Sequence, residues 1–213
     1  IIQKKESKLS ARSLILIGKI YLTLEQPAKA FSFFEKALFT SVSTDDLAYS
    51  GMSLSSIKLG NLNEAQIYAK KAIKENPDTI EGKIAMGLIL SDYGRIKQSH
   101  KYFMKAIIVS SNSLYAVRQY ASSQMRLGKH KKAKDIINKA LLEKKGDAPT
   151  IDLLGKLLWI QGNIKEAVKL RTDASLMFRK SGNLKRAEQI MTWLNTSASS
   201  RLEKIVENES KLK

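Results

Sequence analysis

Cysteine is absent from the 213 residues, and with it go disulfides, thiolate nucleophiles and cysteine-based metal sites. That absence fits either a reducing or an oxidising compartment. Histidine is nearly as scarce. His100 and His130 are the two in the chain, neither has a second ligand at helical spacing, and both are expected as surface side chains, not as catalytic groups or metal ligands. No apolar run approaches the length that spans a bilayer; the longest candidate, Leu153 to Ile160, is interrupted by Gly155 and Lys156. There is no Gly-rich phosphate loop, nucleophile elbow or paired-carboxylate signature. These gaps predict a protein that is not an enzyme and takes no cofactor. Acidic residues are also short, 20 against 37 Lys and Arg, which leaves a formal charge of +17. The first residue is Ile1 and not Met, so an earlier N-terminus is expected to have been removed, and the compartment stays open between cytoplasm and periplasm.

An apolar fraction of 43% is ample for a packed interior. Small residues recur through the chain at a period of about 34: Gly18, Ala30, Ala37; Ser53, Ala65, Ala72; Gly87, Ser99, Ala106; Ala121, Ala133, Ala140; Gly155, Ala167, Ala174. A period this long means one supersecondary unit stacked on itself, a solenoid without a central core. Each unit reads as two antiparallel helices. In the second unit, helix A runs from about Asp46 to Leu59, Gly60-Asn61 turns the chain, and helix B runs from Leu62 or Asn63 to Glu75 before Pro77 stops it. Gly94, Gly128 and Gly162 take the same turn position, while the first unit has Glu25-Gln26-Pro27, whose proline suits the first turn of a helix. Helix A carries apolar stripes at spacings of three, four and seven, among them Leu14, Ile17 and Tyr21, then Met86, Leu90 and Tyr93, then Val117, Tyr120 and Leu127, then Ile151, Leu154 and Leu158. No strand is indicated, so the fold class is all-α.

This arrangement of a small residue in helix A, a Tyr, a turn Gly, two Ala in helix B and a closing Pro resembles the tetratricopeptide repeat (TPR) family. The resemblance covers about residues 11–181 and implies a right-handed α-solenoid of antiparallel helix pairs, a TPR-like superhelix. The expected organisation is a polar extension at 1–10, units at 11–45, 46–79, 80–113, 114–147 and 148–181, a capping helix within 182–197, and a charged tail at 198–213. The chain departs from the pattern in places. Val42, Ser111 and Lys145 replace the closing proline and predict softer joints, and Arg171 stands where the family has an aromatic. Ile164–Lys180 reads as one long helix that also supports a further helix, Leu184–Asn195, which covers the end of the stack. Beyond Thr196, the residues Leu202, Ile205 and Val206 predict a short amphipathic helix.

In this family the free face of helix A lines a concave channel. Here that face carries Lys19, Leu54, Lys58, Leu88, Asp92, Arg118, Ser122, Met125, Arg126, Lys156 and Trp159, with Tyr115 at an edge. A surplus of apolar side chains on an exposed face suggests a contact surface, and its cations suit a peptide or protein with hydrophobic anchors and acidic flanks. The leading expectation is therefore a non-enzymatic scaffold or adaptor holding a partner in the groove, within a larger assembly such as bacterial secretion, pilus or envelope machinery. Family members that clamp the carboxylate tails of chaperones carry Lys and Asn four residues apart on the first helix A. The matching pairs here, Ile15/Lys19, Ser50/Leu54, Ile84/Leu88, Arg118/Ser122 and Asp152/Lys156, do not fit. Two alternatives stand beside the scaffold: nucleic acid or an anionic membrane surface bound through basic helix faces, and self-assembly through end helices. The densest basic run, Lys129, His130, Lys131, Lys132 and Lys134, is expected in a turn between helices.

Overall fold

The computed structural model describes residues 9–40, 45–110 and 112–211, with side chains described as far as 205. Every regular element among them is helical: α1 (Ala11–Thr23), α2 (Pro27–Leu38), α3 (Asp45–Lys58), α4 (Leu62–Glu75), α5 (Ile80–Asp92), α6 (Ile96–Val109), α7 (Leu114–Arg126), α8 (His130–Glu143), α9 (Ala148–Ile160), α10 (Ile164–Lys180) and α11 (Leu184–Trp193), then a π-helical turn (Leu194–Ala198) and α12 (Ser199–Lys211). Helices pack in successive pairs, the α-solenoid architecture, and the chain divides into two compact units, Ile1–Ser123 and Gln124–Lys213. Val42 and Ser111, two of the three expected soft joints, lie outside the described residues. Among the described residues no helix is long and apolar enough to cross a membrane.

The turns within pairs share one hydrogen-bond pattern. Gly60 has φ 85°, Asn61 N–H bonds back to Ser56 C=O at 2.9 Å, and Gly60 N–H to Ile57 C=O at 3.1 Å. This is the Schellman ending, which satisfies carbonyls that the helix would otherwise leave open and needs a left-handed residue at its centre. The first turn is the same motif without glycine: Gln26 N–H reaches Tyr21 C=O at 2.9 Å and Glu25 itself takes φ 57°. Glu25 is the one non-glycine residue in that region among the described residues, so Pro27 starts α2 but does not make the turn.

Small residues are where helices close on one another. In the first unit Phe34 of α2 is fully buried, and its ring lies against Gly18 of α1 and Gly51 of α3; a Cβ on Gly18 would come within 2.8 Å of that ring. Phe103 of α6 lies under Gly87 of α5 in the same way. Burying such a ring removes a large apolar surface from water, and the two glycines let it sit between backbones. Ser53, at the equivalent small position, donates its hydroxyl to Ala65 C=O at 2.7 Å, so a buried polar group is satisfied.

In the second unit, α10 runs without interruption over Ile164–Lys180 and serves two neighbours. Its first half packs on α9, and in its second half Ser175 donates to Ala187 C=O of α11 at 3.1 Å, repeating the Ser53–Ala65 bond. The C-terminus differs from expectation. The helix does not stop at Asn195, because no Gly or Pro occurs between Leu184 and Lys211; it widens through the π-turn and continues as α12. At the other end Ser10 caps α1 by accepting from Ser13 N–H at 3.2 Å, so α1 begins at Ala11, and residues 1–8 lie outside the described residues.

Candidate functional site

Within the first unit α1, α3, α5 and α7 border an open groove of about 570 Å³. Lys19, Leu54, Lys58, Leu88, Tyr115 and Arg118 all line it, six of the ten positions singled out as partner-binding in the sequence. Leu22, Thr23, Ile57 and Glu81 complete it. Three of these four were missed although they stand three or four residues from a named one on the same helix, the spacing that keeps side chains on one helical face. Glu81 carried no apolar or basic signal.

The groove differs in charge from the expectation. Lys19 Nζ donates to Glu81 Oε1 at 3.0 Å, and Lys58 Nζ to both carboxylate oxygens of Glu25 at 2.8 and 2.9 Å. These cations therefore face anions of the same chain, and the walls between them are apolar: Leu22, Leu54, Ile57, Leu88 and Tyr115. Arg118 lies 6.0 Å from the centre of the Tyr115 ring. Desolvation pushes the Tyr115 phenol up to about 12, against the opposing pull of Arg118, although 37% of the residue's surface stays open. The hydroxyl is thus a neutral donor at physiological pH.

The remaining four positions, Met125, Arg126, Lys156 and Trp159, belong to the second unit, where Lys156 and Trp159 are among those engaged internally. Lys156 Nζ pairs with Asp152 Oδ2 at 3.1 Å. The Trp159 ring meets Trp193 edge-on with centroids 4.8 Å apart, and the Arg201 guanidinium lies 4.9 Å above it. Asp152 is the centre of this region. Its buried carboxylate accepts from Arg171 Nε at 3.0 Å and from Arg186 at 2.7 Å, besides Lys156. Burial alone would raise its pKa, but Lys156, Arg186 and Arg171 together outweigh that and hold it below the ordinary carboxylate value. Burial, with Arg186 beside it, pulls Lys156 down in spite of Asp152. Arg171 stacks 3.6 Å from the Trp193 ring, so the position that the family fills with an aromatic holds a cation sandwiched between an aspartate and a tryptophan.

Other expectations need correction. His100 is not a free surface side chain: it stacks on Tyr120 at 4.9 Å and its Nδ1 lies 2.8 Å from Ser123 Oγ. His130 is half-buried, with Nδ1 fully enclosed. The basic run does not form a turn. Gly128 and the Lys129 N–H bond to Gln124 C=O close the turn early, so His130, Lys131, Lys132 and Lys134 lie within the N-terminal part of α8. Tyr93, expected on the inner stripe, is 42% exposed at the end of α5 and donates to Asn63 Oδ1 at 3.0 Å. Among the described residues no group of three or more Asp, Glu or His could hold a metal ion.

The tetratricopeptide repeat model matches residues 11–38 and 48–79, across α1–α2 and α3–α4. Residues 11–38 and 48–79 are thus tetratricopeptide repeats. Solved TPR proteins share its fold: a thermophilic TPR protein of Thermus thermophilus superposes with a TM-score of 0.71 at 19% identity, covering 86% of this chain and all of that one. PilW, described as a widely conserved type IV pilus biogenesis factor, superposes with a TM-score of 0.60 at 18% identity over 92% of this chain and 98% of its own. Identities this low establish the fold alone. The human protein O-mannosyl-transferase TMTC1 is 24% identical over 184 residues, 86% of this chain but 20% of its own length. The present chain thus spans about a fifth of that relative. TPR folds are in general non-enzymatic and serve as scaffolds that bind another protein or peptide.

Proposed function

We propose that the first-unit groove is the docking site for an extended or helical segment of a partner protein, with this chain acting as a non-enzymatic scaffold in a larger assembly. The observation that carries this is the composition of the groove. Five apolar side chains from four helices converge on about 570 Å³ of open space, a volume and lining typical of ligand sites. The internal Lys19–Glu81 and Lys58–Glu25 pairs change the expected partner chemistry. Hydrophobic anchors supply most of the affinity, and acidic residues of the partner are secondary. Two or three side chains seated between Leu54, Ile57 and Leu88 would act as the central hot spot. PilW is described as a type IV pilus biogenesis factor, and the proposal of a pilus or envelope assembly for this chain rests on likeness of fold alone.

A random peptide library displayed on phage and selected against the full chain tests the site without a known partner. Selected peptides are expected to carry spaced apolar anchors, and Leu54→Asp with Leu88→Asp should weaken them at least ten-fold while leaving helicity by circular dichroism unchanged. Peptides that bind this variant and the parent alike would refute the groove.

A further inference from the structure

A different surface of the first unit combines exposed lysines with exposed apolar side chains. On α6 the residues Lys97, Lys101, Met104 and Ile108 fall within about 60° of arc at 3.6 residues per turn, with Lys105 beside them. All five are exposed, Ile108 at 74% and Met104 at 39%, while Ser99, Phe103 and Ala106 on the opposite side are buried. Ile96–Val109 contains no acidic residue. The outer face of α4 repeats the composition with Ile67, at 55% exposure, and exposed Lys70, Lys71 and Lys74. Of its two glutamates, Glu64 turns inward, where the Ser56 hydroxyl donates to it at 3.2 Å, and Glu75 is exposed at the C-terminal end of the helix, near Asp45. The two helices flank one hollow of about 290 Å³, to which α4 contributes Gln66, Lys70 and Ile73 and α6 contributes Gln98 and Tyr102, so the two faces are contiguous.

We infer that this α4–α6 face docks peripherally on an anionic lipid bilayer. Lysines on long stems reach the headgroups while Ile67, Met104 and Ile108 enter the acyl boundary, the division of labour of an interfacial helix. The apolar residues decide between anionic partners. Phosphodiester backbones give exposed isoleucines nothing to bury against, and the stripe has no arginine; the rings of the two helices, Tyr68 and Tyr102, are half-buried with Lys71 Nζ and Lys105 Nζ 5.8 and 5.5 Å from their centres, so they offer no open stacking platform for bases. The surface is separate from the groove and does not depend on it.

Co-sedimentation of the full chain with vesicles tests this. Binding is expected to vesicles of phosphatidylcholine mixed with phosphatidylglycerol and not to phosphatidylcholine alone. Replacing Lys97, Lys101 and Lys105 by Gln should weaken it about a hundred-fold, and Met104→Ser with Ile108→Ser about ten-fold or more. Leu54→Asp with Leu88→Asp should leave it unchanged. No sedimentation with phosphatidylglycerol vesicles at low salt overturns the inference. Indifference to the Met104 and Ile108 changes, with tighter binding to single-stranded RNA than to vesicles, also overturns it, in favour of nucleic acid.

Discussion

The two units solve one packing problem with opposite chemistry. In the first, Gly18 of α1 faces Phe34 of α2, and Ile15 is buried nearby. In the second, the same glycine-to-partner spacing sets Gly155 of α9 against Arg171 of α10, where a Cβ would come within 2.5 Å of the arginine stem, and Asp152 occupies the place of Ile15. A phenyl ring fills its site by dispersion and needs no partner. An arginine fills the same site only if its charge is met, and Asp152 and Trp193 meet it. The exchange shows that the repeat specifies a side chain packed closely under a glycine at this position and leaves polarity open. It also ties the Asp152 region to Trp193 at the end of α11, so the ionic version recruits the closing helix in a way the phenyl version has no means to do.

The largest effects should come from removing one member of each set. Phe34→Ala is expected to cost about 3–5 kcal/mol through the lost ring and the cavity. Asp152→Ala should cost a similar ~3–5 kcal/mol because Arg171 is left buried without its counter-ion. The comparison separates them in the double variant. Asp152→Ile with Arg171→Phe rebuilds the first unit's solution in the second, and replacing a buried ion pair by packed hydrophobes is often neutral. It should be more stable than Asp152→Ala in urea denaturation. A double variant as unstable as the single one would mean that the second unit cannot accept the apolar solution.

Acid should act on the ionic set and spare the apolar one. The Asp152 carboxyl is held below its ordinary value in the folded chain, so the unfolded chain takes up protons first as pH falls. The stabilisation is then fully present above about pH 4, the ordinary aspartate range, and is lost as pH drops through the depressed folded value. The difference in urea midpoint between the parent and Asp152→Asn should therefore be constant near neutrality and shrink only below that range. For Phe34→Ala it should stay level. A difference for Asp152→Asn that does not shrink in acid would show that the carboxylate works by shape or neutral hydrogen bonding.

How much of this was legible in the sequence depended on whether the signal was periodic. The helical hairpins follow from Gly60, Ala65 and Ala72 and their repeats, because a small residue at a fixed interval has a single packing explanation. The long α10 was legible in the uninterrupted run to Lys180. Six positions that line the groove follow from helical phase read onto the concave face that the TPR resemblance implies. What phase does not contain is the partner across space. Nothing in the spacing of Lys19 and Glu81, or of Lys58 and Glu25, announces that these charges meet, and the expected cationic groove was therefore too basic. Trp159 was illegible for a related reason: its fate depends on Trp193 and Arg201, beyond the last full repeat, on a helix that was expected to end at Asn195.

The smallest effect belongs to the first turn, where the comparison is between Glu25 and the glycine that every other within-pair turn uses. A non-glycine residue at φ 57° carries a strain of roughly 1–2 kcal/mol. Its carboxylate gains a bond to Lys58, but these side chains are 31% and 37% exposed, and an ion pair in contact with solvent contributes about 0–1 kcal/mol. The strain exceeds the pair, so Glu25→Gly should stabilise the first unit by less than about 1 kcal/mol, reduced further by the freedom glycine adds to the unfolded chain. The same substitution releases Lys58 into the groove. Should groove peptides with acidic residues bind Glu25→Gly more tightly than the parent, Glu25 is a competitor for their charge. A loss of stability beyond about 1 kcal/mol would instead make the Glu25–Lys58 pair a structural tie between the α1–α2 turn and α3, and would reverse the order of strain and pairing at this turn.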